Sequence, residues 1–386
     1  MKLTGKNPDR NKRRIFVSLT IGLAVLLSLT AAEIFVRLTF RHNSPDTVHR
    51  NSLQYVPTIF SRHMLRPDQH VNLDEAWGLD RNTEPTDRTY RINELGYRGG
   101  AFSKPKTPDS QRIAILGGSA VFDIYATEGK DWPHQVEQIL RARGFPHAEV
   151  LNAGVPGHAS FDSVGRIYSQ IWMLNPDFVL LYNAWNDIKY FTVLSPSKPL
   201  IFQIAPFDPE ADSLQNYFGI LDRAMCNSQV YVKLRTRYLL RKLNVGEEGV
   251  IPQMTYQSTY GPSGLDQYRL NLRLFVDASR EIGSTPILLT QAGLMAAGNT
   301  EAERARIAYS YQGLSHEALL RAMSECNDAV REIGREKGVD VLDLAAMFNG
   351  RAELFKDHVH TTESGSEAIA TAVAHFLAGR INPQAR

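Results

Sequence analysis

The segment RIAILGGS, residues 112–119, decides the fold. Its apolar run after Arg112 predicts a short buried strand that ends at Gly117 and Gly118. In an open α/β sheet, ligands bind beyond the carboxyl ends of the strands, and glycines there let a substrate approach the backbone. Ser119 therefore stands where a functional residue is expected. The alternative is that Ser119 serves only as a helix N-cap, because serine is a favoured cap residue.

Short apolar runs and amphipathic helices alternate from this segment to the end of the chain. Further strands are predicted at residues 150–151, 177–182, 286–290 and 339–344. Helices are predicted from Pro133 onward and at residues 163–174, 265–282, 316–337 and 363–377. This alternation predicts an α/β fold with three layers, α/β/α, and a mostly parallel, flavodoxin-like sheet of about five strands.

The remaining segments define the predicted domain organisation. Residues 86–386 form the main domain, and an insertion at about 191–264 interrupts it because that stretch lacks the β/α rhythm. Residues 37–85 are polar, with scattered Pro, Asn and Asp, and are predicted to form a stalk and a lead-in to the domain.

An apolar run without charge, IFVSLTIGLAVLLSLTAA, fills residues 15–32. Six Lys and Arg residues and a single acid precede it, although the net charge of the whole chain is only +2. The run predicts a transmembrane signal anchor at residues 15–36, because about 20 apolar residues span a bilayer. The positive-inside rule then places residues 1–14 in the cytoplasm and the main domain outside it, in the periplasm of a Gram-negative cell. The alternative is a signal peptide cleaved after residues 30–32.

The two cysteines, Cys226 and Cys326, allow two interpretations. Export to an oxidising compartment would permit a disulfide between them. Equally, both can be unpaired small apolar residues.

Polar residues follow several predicted strands in a way that suggests nucleophilic catalysis. The strand-end segments are GGS at residues 117–119, NAGVPG at 152–157, NAWND at 183–187 and DHVH at 357–360. A serine hydroxyl needs a base to take its proton, and that base needs a third group to orient it. Ser119 is the predicted nucleophile, His360 the base and Asp357 the orienting acid. The side chain of Asn186 and the backbone N–H groups of Gly157 and Ser119 are the predicted oxyanion hole.

Each of these segments also has a structural interpretation. Gly154 and Gly157 can serve a tight turn, Trp185 is assigned to packing and Asp187 to a structural role. His358 and His360 form an HxH pair, but without a third or fourth ligand nearby they make a poor zinc site. His134, His147 and His158 are assigned to the surface or to loops. No GxSxG elbow, P-loop or dinucleotide fingerprint is present, and neither a cofactor nor a metal is predicted.

The order of GGS, NxGxxG, Trp-Asn-Asp and DxxH resembles the four signature blocks of the SGNH, or GDSL-like, hydrolase family. The resemblance covers about residues 112–377, and NELGYRG at residues 93–99 resembles the lead-in of membrane-anchored bacterial members. It implies the roles given above for Ser119, Gly157, Asn186, Asp357 and His360. Two positions depart from the usual pattern: Gly118 replaces an acid, as in a subgroup with GGS, and Ala184 replaces a glycine.

The resemblance implies a serine esterase that acts on acyl esters, O-acetyl esters among them, through an acyl-enzyme at Ser119. One alternative is an O-acyltransferase that modifies envelope or secreted polysaccharide, because the same triad serves both reactions. The other is a non-catalytic, anchored binding module of the same fold. The expected partners are an ester-bearing small molecule, glycan or lipid, and the membrane through the N-terminal helix; nucleic acid is not expected. Acyl length and oligomeric state stay open.

Overall fold

The computed structural model describes residues 8–39, 55–58, 60–72, 89–192, 225, 228–231, 234, 238 and 256–381. The chain divides into two compact units. One comprises Met1–Arg50 and Asp208–Gln253, and the other comprises Asn51–Phe207 and Met254–Arg386. Most of the predicted insertion, residues 40–54 and 73–85 of the predicted stalk and lead-in, and residues 86–88 of the predicted main domain lie outside the described residues.

The first unit contains helix α1, Pro8–Thr39. Its segment Lys12–Leu38 is long and apolar enough to cross a membrane, so this helix is a candidate membrane span or signal anchor. Glu33, the acid near the end of the apolar run, pairs with Arg37 at 2.8 Å. Its carboxylate also accepts hydrogen bonds from the backbone N–H groups of Gln229 at 2.8 Å and Val230 at 3.0 Å.

The second unit is built on a parallel sheet of five strands. They are β5 (Gln111–Gly117), β6 (Ala148–Gly154), β7 (Phe178–Tyr182), β8 (Thr285–Leu289) and β9 (Asp340–Leu342). They run in the order β6-β5-β7-β8-β9 and pair in parallel throughout. This is the flavodoxin-like order, with the topological switch point between β5 and β7. The predicted fold class is confirmed.

Four short strands precede this sheet. Strands β1 (Tyr55–Pro57) and β2 (His63–Leu65) form one antiparallel pair, and β3 (Gln69–Asn72) and β4 (Thr89–Ile92) form another. Residues 55–57, 63–65 and 69–72 of the predicted lead-in therefore form strands that were not predicted. Strands of three or four residues leave too short a pattern for periodicity to detect.

Helices cover both faces of the sheet. They are α2 (Ser119–Phe122), α3 (Trp132–Ala142), α4 (Ser160–Ser169), α5 (Trp185–Ile188), α6 (Ser263–Glu281), α7 (Glu301–Arg304), α8 (Tyr309–Gln312), α9 (His316–Lys337), α10 (Leu344–Phe348) and α11 (Glu363–Ala378). Helix α3 packs against α11, while α4 and α9 both pack against α6. Two 3₁₀ helices, Ile171–Leu174 and Ala352–Leu354, complete the described elements.

Helix boundaries follow local hydrogen bonding. Helix α9 has the predicted bounds, because Ser315 caps its N-terminus and Gly338, at φ 58°, ends it. Helix α4 begins three residues before the predicted start at 163. The carboxylate of Asp162 accepts the N–H of Ala159 there at 2.9 Å, and the helix leaves α geometry at Gln170. Residues 163–174 thus form an α-helix and a separate 3₁₀ helix.

The cysteine interpretations stay open. Cys326 is buried on α9, and burial raises the pKa of its thiol well above the ordinary value. Cys226 lies outside the described residues, so nothing tests a pairing between the two.

Gly154 illustrates how closely α2 packs on the sheet. A Cβ at this position would lie 2.2 Å from the backbone nitrogen of Phe122. Backbone cannot move aside as a flexible side chain can, so no larger residue fits without a shift of α2. The absence of a side chain at Gly154 therefore sets the distance between β6 and the segment that carries Ser119.

We expect Gly154→Ala to lower the free energy of unfolding by about 1–3 kcal/mol, the usual cost of overpacking a core. Gly298→Ala is the matched control, because Gly298 is exposed and a Cβ there has nothing within 4 Å. Urea unfolding of the detergent-solubilised full chain measures both variants. Equal stability of the two would show that α2 does not pack on β6 as described.

Candidate active site

The ends of three parallel strands lie level with one another at one edge of the sheet. Gly117 of β5 pairs in register with Gly154 of β6 and with Tyr182 of β7. The segments that follow these strands, with Ser119, Gly157 and Asn186, consequently start from the same edge. The loop with residues 357–360, between Ala352–Leu354 and α11, brings the acid and the histidine to Ser119.

Ser119, His360 and Asp357 form a continuous hydrogen-bonded chain. Ser119 Oγ lies 2.7 Å from His360 Nε2, and His360 Nδ1 lies 2.7 Å from Asp357 Oδ2. Asp357 Oδ1 also accepts the backbone N–H groups of His360 at 3.0 Å and Val359 at 3.1 Å. Burial opposes ionisation of Asp357, but the charge and hydrogen bonds of His360 hold its pKa well below the usual range. An ionised Asp357 keeps the proton of a neutral His360 on Nδ1 and leaves Nε2 free to accept the serine proton.

Tyr125 contacts two members of this chain and was not predicted from the sequence. Its hydroxyl donates to Asp357 Oδ2 at 3.1 Å, and its ring packs edge-on against His360 with centroids 5.7 Å apart. Asp357 Oδ2 therefore accepts from both Tyr125 and His360. Since Tyr125 is 232 residues from Asp357 in sequence, no local motif indicates this contact.

Arg98 holds the loop that carries Tyr125. The fully buried guanidinium donates to the carbonyl groups of Phe122 at 2.6 Å and Asp123 at 2.8 Å, and to those of Ala126 and Thr127. Arg98 belongs to the segment at residues 93–99 that resembles a family lead-in. In this structure that segment braces the loop beside the site.

Asp131 compensates the buried charge of Arg98. Its Oδ1 lies 3.4 Å from Arg98 Nε, and its Oδ2 lies 2.7 Å from Asn152 Nδ2 and 2.6 Å from His134 Nδ1. Burial raises the pKa of Asp131, but the nearby cations lower it to about 2 overall. The same contact raises the pKa of His134 against the effect of burial. The assignment of His134 to the surface without a partner was wrong, because helix α3 places it one turn from Asp131.

Asp123 connects the loop after α2 to the residues that follow His360. It has φ 61°, and its carboxyl group accepts from Thr361 Oγ1 at 2.8 Å, Ser366 Oγ at 2.6 Å and the N–H of Trp132 at 3.1 Å. Burial raises the pKa of Asp123. The nucleophile segment and the histidine segment are thus joined through one buried acid.

The predicted oxyanion donors are the backbone N–H groups of Ser119 and Gly157 and the side-chain amide of Asn186. Among the described residues, the backbone N–H groups of Ser119 and Gly157 have no hydrogen-bond acceptor. Asn186 Nδ2 donates to the carbonyl of His158 at 2.9 Å, which uses one of its two hydrogens. Asn186 Oδ1 accepts from the hydroxyl of Tyr311 at 3.1 Å. One amide hydrogen of Asn186 is left to join the two backbone donors.

Both departures from the family pattern have a structural account. A Cβ at Gly118 would lie 2.4 Å from Asn186 Nδ2, so an acid cannot occupy this position without displacing the amide. Ala184 is fully buried, and its φ of −169° lies outside the left-handed region that favours glycine. A positive φ therefore does not require glycine at this position.

Asp187 and Trp185 have structural contacts. Asp187 accepts the N–H of Ser160 at 3.1 Å and its hydroxyl at 2.6 Å, at the start of α4, and burial raises the pKa of Asp187 to about 7. Trp185 stacks on His358 with centroids 3.9 Å apart. Burial lowers the pKa of His358 to about 3, so this ring is neutral.

Two other histidines differ in burial: His158 is buried and His147 is exposed. His158 is fully buried, its Nε2 lies 2.6 Å from the carbonyl oxygen of His63, and burial lowers its pKa well below the ordinary value. Its assignment to a surface or loop position without a partner was wrong, because it is buried and His63 of the lead-in contacts it. His147 is exposed, as predicted.

A metal could use Asp357, His358 and His360, whose donor atoms lie within 4.8 Å of one another. Both ring nitrogens of His360, however, already lie 2.7 Å from Ser119 and Asp357. A metal would have to replace one of these contacts. The arrangement therefore fits proton transfer to and from Ser119 better than metal binding.

No family model matches the sequence, and a comparison with curated proteins gives no match. Among solved structures, the chain is similar to a lipase/acylhydrolase from Enterococcus faecalis, with 16% identity, a TM-score of 0.42 and coverage of 71% of this chain and 98% of that chain. It is also similar to a catalytic mutant of an acetylxylan esterase from Geobacillus stearothermophilus, with 16% identity, a TM-score of 0.40 and coverage of 70% and 95%. An acetyl xylan esterase has 13% identity, a TM-score of 0.41 and coverage of 69% and 99%.

The raised pKa of Asp187 predicts that the stability of the wild type relative to Asp187→Asn depends on pH. Its pKa is about 7 in the folded chain against an ordinary value of 3.8, so unfolding releases a proton between these pH values. The stability that Asp187 contributes is present below about pH 4 and is lost as the pH rises to about 7. Asp187→Asn mimics the protonated acid, and its stability relative to the wild type should rise over this range by up to about 4 kcal/mol.

Urea unfolding at several pH values measures this difference, and the exposed Asp109→Asn is the control that should show none. Parallel pH profiles of the wild type and Asp187→Asn would contradict an uncharged Asp187.

Proposed function

We propose that this chain is a serine ester hydrolase in which Ser119, His360 and Asp357 form the catalytic triad. The observation that carries the proposal is the pair of 2.7 Å contacts that joins Ser119 Oγ to His360 and His360 to Asp357. The donors at Ser119, Gly157 and Asn186 add to it, because acyl transfer needs both an activated nucleophile and a group that stabilises the oxyanion.

In the first half of the reaction, Ser119 Oγ attacks the ester carbonyl carbon while His360 Nε2 takes the hydroxyl proton. Charge develops on the carbonyl oxygen and is stabilised by the N–H groups of Ser119 and Gly157 and by the amide of Asn186. When the tetrahedral intermediate collapses, the bond to the alcohol oxygen breaks and His360 returns the proton to that oxygen. The products are a free alcohol and an acyl group on Ser119.

In the second half, water attacks the acyl carbon and gives its proton to His360. Collapse of the second intermediate releases the carboxylic acid, and Ser119 Oγ recovers its proton from His360. The sum is one ester and one water converted to one acid and one alcohol. A sugar hydroxyl in place of water would give O-acyl transfer, and hydrolysis assays with and without a glycan acceptor separate the two outcomes.

We expect Ser119→Ala and His360→Ala to lower kcat for p-nitrophenyl esters by several orders of magnitude, because the triad acts as a unit. The full chain in detergent is assayed with short and medium acyl chains and labelled with a fluorophosphonate. Ser119→Ala should not be labelled. The exposed Ser364→Ala and His147→Ala are the controls, and both should retain wild-type turnover.

A folded wild-type chain that neither turns over any of these esters nor reacts with the fluorophosphonate would exclude the hydrolase. A non-catalytic binding module of the same fold would then be favoured.

We also propose that α1 is an uncleaved anchor with residues 1–14 in the cytoplasm and the catalytic unit outside it. The length of the candidate span at Lys12–Leu38 and the basic residues before it support this orientation. On export, the substrates in reach are esters of the envelope or of secreted glycans and lipids.

The chain is expected to stay in the membrane fraction after an alkaline carbonate wash, because about 27 residues of apolar helix hold it there. Protease added outside spheroplasts should digest the catalytic unit and spare an N-terminal epitope tag, with lysed spheroplasts as the control. Release by the wash would favour a cleaved signal peptide. Protection of the catalytic unit from the added protease would show the opposite orientation, with this unit in the cytoplasm.

A further inference from the structure

We propose that Lys189 is a positioning residue for the oxyanion hole, and that it acts through the hydroxyl of Tyr311 on the amide of Asn186. This inference rests on the proposed function, since it concerns how one donor of that site is held. It assigns a role to a buried lysine that the acyl-transfer steps do not use.

A chain of hydrogen bonds connects the three side chains. Lys189 Nζ lies 3.1 Å from Tyr311 Oη, and Tyr311 Oη lies 3.1 Å from Asn186 Oδ1. A protonated lysine can only donate, so the tyrosine oxygen accepts from it and directs its single hydrogen to Asn186 Oδ1. With Oδ1 held in this way, Asn186 Nδ2 points toward the carbonyl of His158 and the backbone at Gly118.

The charge state of Lys189 decides the direction of this chain. A neutral amine has a lone pair, and the tyrosine hydroxyl can then donate to Lys189 and abandon Asn186 Oδ1. The amide of Asn186 would lose the contact that distinguishes its oxygen from its nitrogen. Protonation of Lys189 also polarises the hydroxyl and, through it, the amide, which makes the remaining amide hydrogen a stronger donor.

The surroundings of Lys189 hold its pKa near neutral pH, so that both its charged and its neutral form are accessible. Only 3% of the residue is exposed, and no carboxylate lies within ion-pair distance of Nζ among the described residues. Burial and the like charge of Arg62 lower its pKa, Asp162 and, once ionised, Asp187 raise it, and the result is about 7. The rings of Tyr190 and Tyr311 lie 5.0 and 5.2 Å from Nζ.

Tyr311 is held independently of the lysine. Its ring is parallel to Trp185, with centroids 6.3 Å apart, and the neighbouring Gln312 donates to the carbonyl of Trp185 at 2.8 Å. Because Trp185 directly precedes Asn186, these contacts fix α8 against the segment that carries the amide. The phenol can therefore act on Asn186 from a constant position, and only its hydrogen changes direction.

The test compares Lys189→Met, Tyr311→Phe and the exposed control Lys130→Met in the full chain, with p-nitrophenyl acetate from pH 5 to 9. Loss of a complete oxyanion donor costs about 10²–10³-fold in kcat, and loss of its polarisation should cost about tenfold. We expect Lys189→Met and Tyr311→Phe to lower kcat at pH 6 by about tenfold, with KM within threefold of the wild type, and Lys130→Met to leave both unchanged. Lys189→Arg, which keeps the positive charge, should recover part of the loss.

The pH profile separates positioning from a packing role. In the wild type, kcat should fall as Lys189 loses its proton above about pH 7. Lys189→Met should lack this descending limb. If Lys189 only filled space, the limb would have another origin and Lys189→Met would keep it. Tyr311→Phe removes a single oxygen, so it keeps the test valid if Lys189→Met does not fold.

A mutant cycle on Asn186 completes the experiment. If the relay acts through the amide, Lys189→Met and Tyr311→Phe should have no further effect in an Asn186→Ala background. Two outcomes would overturn the relay while Ser119-dependent turnover stands. One is that each substitution still lowers kcat by its full factor in the Asn186→Ala background. The other is that Lys189→Met and Tyr311→Phe both keep the wild-type kcat and pH profile. A wild type without any turnover or labelling would overturn the hydrolase, and the relay with it.

Discussion

The parallel register of β5 with β6 and β7 is the constraint on which the site depends. Gly117 lies level with both Gly154 and Tyr182, so three chain segments leave the sheet at the same edge. A shift of one residue in either pairing would turn the side chains of that strand to the other face. Glycine at 117 and 154 permits the close approach, because a Cβ at either position would lie within 2.4 Å of neighbouring backbone. Packing at the strand ends thus determines where Ser119 stands.

A buried ion pair holds the loop above this edge, together with the apolar cluster that contains Phe122 and Ile124. Arg98 binds four carbonyl groups of residues 122–127, and Asp131 balances its charge. A buried pair of this kind contributes little net stability, because desolvation offsets most of the attraction. Its contribution is geometric, because four carbonyl groups of one loop converge on one guanidinium. Tyr125 is thereby kept against Asp357, and Asp123 against Thr361.

Much of this could be predicted from the sequence, and what could not has a common cause. Strand and helix positions follow from local periodicity, and the residues at strand ends follow from the order of the strands. Tyr125, Arg62 and Lys189 lacked any such signal, since each acts through partners about 100 residues or more away, such as Asp162 for Arg62. The misassigned His158 shares this cause, because its partner His63 is 95 residues away. His134 differs, because its partner Asp131 is only three residues away on the same turn of helix and the pair was missed.

The amide of Asn186, on which the proposed relay from Lys189 acts, lies directly beside Gly118. Asn186 Nδ2 occupies the volume that a Cβ at Gly118 would need, 2.4 Å from it. The amide stays there because His158 and Tyr311 hold its two ends. An acid at position 118 would have to displace this amide, and with it the contact between Tyr311 and Asn186. The absence of an acid at position 118 is therefore a condition for the way the proposed oxyanion donor is held, and the two features are expected to change together.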